Sequence, residues 1–89
     1  MGDIRINPDQ VENTGNQFNA KRGELDGLIS QANSYMKSLQ GSWTGQRATK
    51  TFSQWEEMQP SLKAASETLS AAGGLLKSAA TEFRSVDSA

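Results

Sequence analysis

Apolar residues recur every seven positions in two separate blocks of this 89-residue chain. The first series is Val11, Phe18, Leu25, Ala32 and Leu39; the second is Ala48, Trp55, Leu62, Leu69, Leu76 and Phe83. A step of seven keeps side chains on one stripe of an α-helix, whereas along a strand it would alternate between the two faces. Two long helices are therefore predicted, and no strand competes with them. A companion row, Leu28, Ile29, Tyr35 and Met36, joins the first series late, so that its stripe widens toward the middle of the chain. The second block carries its own companion row: Thr51, Met58, Ala65, Ala72, Ala79 and Val86, with Phe52 and Ala80 beside it.

The ends of these blocks are marked by residue chemistry. Residues 1–6, with Ile4 and Ile6, read as an extended lead-in. In Asn7-Pro8-Asp9-Gln10, Asn7 is a helix N-cap and Pro8 sits where its missing N–H is harmless. Asp9 complements the helix dipole, Gln10 completes a pattern like a capping box, and Ile6 stands at the staple position. Gly15, Gly23 and Gly27 each weaken the first helix by about 1 kcal/mol against Ala, yet the seven-residue series runs through all three. Pro60 predicts a kink near Glu56–Gln59 rather than a helix end, and Gly73-Gly74 is a weak point or a place where two helices touch closely. The pattern continues to about Val86.

Between the blocks lies Gly41-Ser42-Trp43-Thr44-Gly45, the interior stretch that reads as a turn. Gly41 is expected to end the first helix in the left-handed conformation, and Ser42 or Thr44 to cap the second through a side-chain oxygen. Gly45 is expected to permit close approach at the start of the second helix. Trp43 is a large apolar side chain in a place where turns are usually polar. Its indole either plugs the open end of the helical pair or also marks a recognition surface.

Folding the chain at Trp43 brings the two stripes into register, with facing residue numbers adding to about 87. Leu39 then faces Ala48, Ala32 faces Trp55, Leu25 faces Leu62, Phe18 faces Leu69 and Val11 faces Leu76. The expected fold is all-α: one domain over residues 1–89, an antiparallel hairpin with helix 1 at about 8–40, a turn at 41–45 and helix 2 at about 46–86. A two-helix hairpin has little interior, and a mean hydropathy of -0.63 is low for a self-sufficient globule. The stripes are also wider than a two-stranded seam needs. A second hairpin, from the same chain or a related one, would close a four-helix bundle. Its core is expected to hold Phe18, Leu25, Leu28, Phe52, Trp55, Leu62, Leu69 and Leu76.

Little in the chain can carry chemistry. It has no Cys and no His, so thiolate chemistry, disulfides and the commonest general base and metal ligand are absent. Glu56-Glu57 and Glu24-x-Asp26 are too close in sequence to converge from one helix face, and no phosphate-binding loop is present. No catalytic, cofactor or metal site is expected, and the chain does not read as an enzyme. The net charge of -1, spread evenly over both halves, gives no reason to expect nucleic-acid binding. The first twenty residues lack an apolar signal core, and no run is long enough to span a bilayer. The polar faces mix both charge signs, which argues against a membrane-active hairpin.

Trp43-Thr44-Gly45 at the centre of a chain of this length, between two heptad-patterned helices, resembles the WXG family, the early-secreted-antigen-like proteins of bacterial type VII secretion. The likeness covers the whole chain. The family's export signal is an aromatic, usually Tyr, followed four residues later by an acid at the end of helix 2, and Phe83-Arg84-Ser85-Val86-Asp87 looks like it, with Phe in place of Tyr. Phe83 also continues the seven-residue series, and the two roles are compatible. The resemblance implies a small substrate, made in the cytoplasm and exported as a folded dimer without a cleavable signal peptide, or a co-secretion partner or chaperone of another helical protein. It implies recognition by a membrane-anchored FtsK/SpoIIIE-like ATPase. From another class comes a cytoplasmic helical adaptor or structural coiled-coil module. Trp43, Gly45, Phe83 and Asp87 are the expected recognition residues, and in an antiparallel dimer the bend of one chain would lie beside the open end of its partner.

Overall fold

The computed structural model describes the backbone of residues 6–88 and the side chains through Val86. Ile4 and the rest of the N-terminal lead-in before Ile6 lie outside the described residues. Two helices account for nearly all of it: α1, Pro8–Gln40, and α2, Gln46–Ser88. They pack antiparallel as a hairpin that measures 66 × 21 × 17 Å. At about 1.5 Å per residue, α2 alone accounts for the long dimension. The radius of gyration is 20.3 Å, against about 12 Å for a compact chain of this length. This is a rod without an interior: among the described residues no large side chain is fully buried.

The N-cap of α1 is the one its sequence predicts. Asn7 is extended (φ -101°, ψ 102°), and its Oδ1 accepts from the N–H groups of Asp9 (3.1 Å) and Gln10 (3.2 Å). α2 continues through Pro60 without ending there.

The seam between the helices departs from the predicted rows. The register holds to within one residue: Gly15 meets Gly73, Arg22 meets Ser66 and Asn33 meets Trp55, pairs whose numbers add to 88. The residues at the centre, however, are small or polar. Ala48, Ser66 and Ala80 are almost wholly buried, with Gly15 and Gly73. At the level predicted for Leu39 and Ala48, Ala48 is buried while Leu39 remains 44% exposed, and at the level predicted for Ala32 and Trp55 the indole bonds Asn33, the neighbour of Ala32. On α2 the most buried positions beyond Ala48 form their own row of sevens, Ser66, Gly73 and Ala80, and the half-buried apolar row Leu62, Leu69, Leu76 and Phe83 runs beside it.

The backbones touch at Gly15 and Gly73. A Cβ on Gly15 would lie 2.9 Å from the Gly73 carbonyl oxygen and 2.8 Å from Lys77 Cγ; one on Gly73 would lie 2.9 Å from the Gly15 carbonyl oxygen. The close-contact reading of Gly73-Gly74 thus applies to Gly73 alone, since a Cβ on Gly74 would meet nothing within 4 Å.

Candidate functional site

The bend is the first element of the site. Gly41 ends α1 in a right-handed conformation (φ -76°), not the left-handed one expected. The chain reverses instead at Gly45, whose φ of 114° is open to glycine and strained for other residues. A Cβ there would meet nothing within 4 Å, so Gly45 is needed for its backbone rather than for close approach. Gly45 also directly precedes α2, a position where neither Ser42 nor Thr44 stands. Ser42 Oγ turns back to the Leu39 carbonyl (3.5 Å), while the Gly45 carbonyl accepts from Thr49 N–H (3.0 Å) and Thr49 Oγ1 (3.1 Å).

Trp43 is fixed at both its backbone and its ring. Its N–H donates to the Leu39 carbonyl at 2.8 Å. Its ring meets Phe52 edge-on, with centroids 5.6 Å apart and planes at 74°, a favourable arrangement of aromatic quadrupoles. The side chain still keeps 36% of its surface exposed. The ring is thus packed on Phe52 of α2 and still partly open to solvent.

Two polar clusters cross the seam below the bend, and sequence reasoning missed both. Trp55 Nε1 donates to Asn33 Oδ1 (2.8 Å), Asn33 Nδ2 to Gln59 Oε1 (3.2 Å), and Gln59 Nε2 to the Trp55 carbonyl (3.2 Å). Farther along, Arg22 Nε lies 3.1 Å from both Asp26 Oδ2 and Ser66 Oγ, and Ser66 Oγ donates to Asp26 Oδ1 at 2.6 Å. The signal for these was a third row of sevens, Gln59, Ser66, Gly73 and Ala80, whose members are too small or polar to register as an apolar stripe. The neighbouring carboxylates serve different partners: Asp26 is held by Arg22, and Glu24 by Lys21 at 3.0 Å.

Beside the seam lies the apolar side. Phe18, Leu25, Leu62, Leu69 and Leu76 are each half-buried, and Phe18 and Leu69 border one open groove. Farther round, Leu28 is 62% and Met58 53% exposed. Phe52 and Trp55 differ from these, because they are already engaged within the hairpin by Trp43 and Asn33.

At the opposite end of the rod from Trp43, Phe83 is half-buried and Val86 is exposed. Asp87 belongs to the helical backbone of α2, but its side chain lies outside the described residues. Arg84 spans to α1, donating from Nη1 to Glu12 Oε2 (3.1 Å) and from Nη2 to Asp9 Oδ1 (2.5 Å). Those bonds, Asp9 first and Glu12 second, hold the guanidinium pKa above its ordinary value. Among the described residues no helix is long and apolar enough to cross a membrane, and no cluster of His, Cys, Asp or Glu could hold a metal ion.

Comparison with solved structures gives the same hairpin. The secreted protein EsxB of Bacillus anthracis strain Sterne is 25% identical, with a TM-score of 0.84 over 98% of this chain and 99% of that one. A substituted form of that secreted protein matches with a TM-score of 0.86 at 25% identity, over 96% of each chain. EsxA of Geobacillus thermodenitrificans, at 24% identity, shares the fold with a TM-score of 0.84 over 92% of this chain and 91% of that one. No curated protein matches. The family model of WXG100, proteins of 100 residues with WXG, matches residues 3–88, a span that takes in both helices and Trp43-Thr44-Gly45 at the bend, and the chain belongs to that family.

Proposed function

We propose that this protein is a small secreted substrate of a type VII secretion system, exported as a folded dimer of hairpins and recognised by the system's membrane-anchored FtsK/SpoIIIE-like ATPase. It is cargo, or the co-secretion partner or chaperone of a related helical protein. The observation that carries this reading is the bend. Gly45 at φ 114° and a half-covered Trp43 stand at the tip of a rod, in a chain whose structural relatives include EsxB, described as a secreted protein. The uncovered apolar side favours a second hairpin there, with Phe18, Leu25, Leu28, Leu62, Leu69 and Leu76 in the shared core and Phe52 and Trp55 at its margin.

Trp43 and Phe83 lie toward opposite ends of a 66 Å rod, so they cannot form one site within a chain. In an antiparallel dimer, Trp43 and Gly45 of one copy would stand beside Phe83 and Asp87 of the other. Export would then report on folding and pairing together. The deciding experiment measures export from the native host with and without the ATPase. Loss of export without the ATPase supports the cargo reading; retention in the cytoplasm under both conditions supports an adaptor. Co-expressing a Trp43→Ala chain with a Phe83→Ala chain tests the composite site. Mixed dimers keep one intact site and should be exported better than either mutant alone.

A further inference from the structure

The terminal segment of α2 is poorly held by apolar packing. Ala80 is the last fully buried seam residue. Beyond it Phe83 is half-buried and Val86 is 78% exposed. The last turn of α2 carries no basic residue to offset the helix dipole, so its end is prone to fray. Among the described residues, Arg84 bonds across to Asp9 and Glu12 of α1, residues 75 and 72 positions away in sequence. These partners stand on a capped helix start. Asp9 and Glu12 are three residues apart on one face, in a helix start fixed by the Asn7 cap.

Arg84 also stands between Phe83 and Asp87. A spacing of four puts an aromatic and a carboxylate on one face only while the segment is helical. We propose that Arg84 is a positioning residue: by tying the last turns of α2 to the first turns of α1, it keeps Phe83 and Asp87 on one face for the partner that reads them. This rests on the export reading above. The pairs are partly exposed, so their effect on global stability is small. Their effect on local opening is what matters, and amide exchange reads that directly.

The test uses the full-length protein in an exporting host, with amide exchange over residues 81–88 measured on the purified chain. Arg84→Gln, and separately Asp9→Asn with Glu12→Gln, should each speed exchange in that segment several-fold and lower export several-fold, with overall helicity unchanged. Arg84→Glu combined with Asp9→Asn and Glu12→Arg should restore both. If the Asp9/Glu12 variant exchanges faster but is exported normally, positioning is overturned. If Arg84→Gln alone reduces export and the charge-reversed combination restores exchange but not export, Arg84 contacts the reader itself and the proposal fails. Asp87→Ala runs alongside. Normal export of that variant removes the signal reading, and the proposal with it; loss of export there, with normal export of Arg84→Gln, removes the proposal alone.

Discussion

The seam and the apolar side run the length of the same rod, but they are made of opposite materials. The seam holds glycine, alanine, serine and hydrogen-bonded amides at close range. The apolar side holds the large residues, none of them fully buried. In most small domains the largest side chains fill the centre. Here the two helices approach too closely for that, because backbone touches backbone at Gly15 and Gly73. The polar clusters then set register without requiring volume. Phe18, Leu25, Leu62, Leu69 and Leu76 flank the seam instead and stay half-buried there.

This contrast can be broken at either region. The largest effect is expected on the apolar side. Leu69→Ala should cost about 2–5 kcal/mol if a partner encloses that residue. The loss should appear as concentration-dependent dissociation in sedimentation as well as in unfolding. A smaller, concentration-independent loss from a folded monomer would leave the side exposed and remove the dimer. Next comes the seam. Gly15→Val should cost about 1–3 kcal/mol in thermal or denaturant unfolding, because the new side chain meets the Gly73 carbonyl and the Lys77 stem. Asn33→Ala should cost about 1–2 kcal/mol by leaving the Trp55 indole N–H without its acceptor. The smallest effect has the opposite sign. Gly74→Ala, one residue from the contact glycine but with open space around it, should stabilise by roughly 0.5–1 kcal/mol through helix propensity. A destabilised Gly74→Ala would show that α2 is rotated from the arrangement described.

The hairpin, its bend and its register were legible because they depend on the period and placement of apolar residues and on local caps. Asn7 declares itself through its own side chain and the proline that follows it. The identity of the seam was less legible. Its row on α2, Gln59, Ser66, Gly73 and Ala80, repeats by sevens just as the apolar rows do, but its members are small or polar and leave no mark in an apolar pattern. Glycine posed the other difficulty. At Gly41 and Gly45 the same residue type served opposite predictions, since the backbone angle that distinguishes them depends on how α2 must leave the bend. Arg84 was invisible as a bridge because its partners lie at the other end of the chain.

Because α1 begins and α2 ends at the same end of the rod, the hairpin has a defined mechanical polarity. A force drawing those two ends apart loads the seam one fastening at a time: Arg84 with Asp9 and Glu12, then the Gly15–Gly73 contact, then Ser66 with Arg22 and Asp26, and last Trp55 with Asn33. A force applied along the rod, between the bend and the open end, runs along both helices in parallel and leaves those fastenings nearly unloaded. The same molecule is therefore weak to unzipping and strong to stretching along its length, and the direction in which it is gripped decides which resistance it offers.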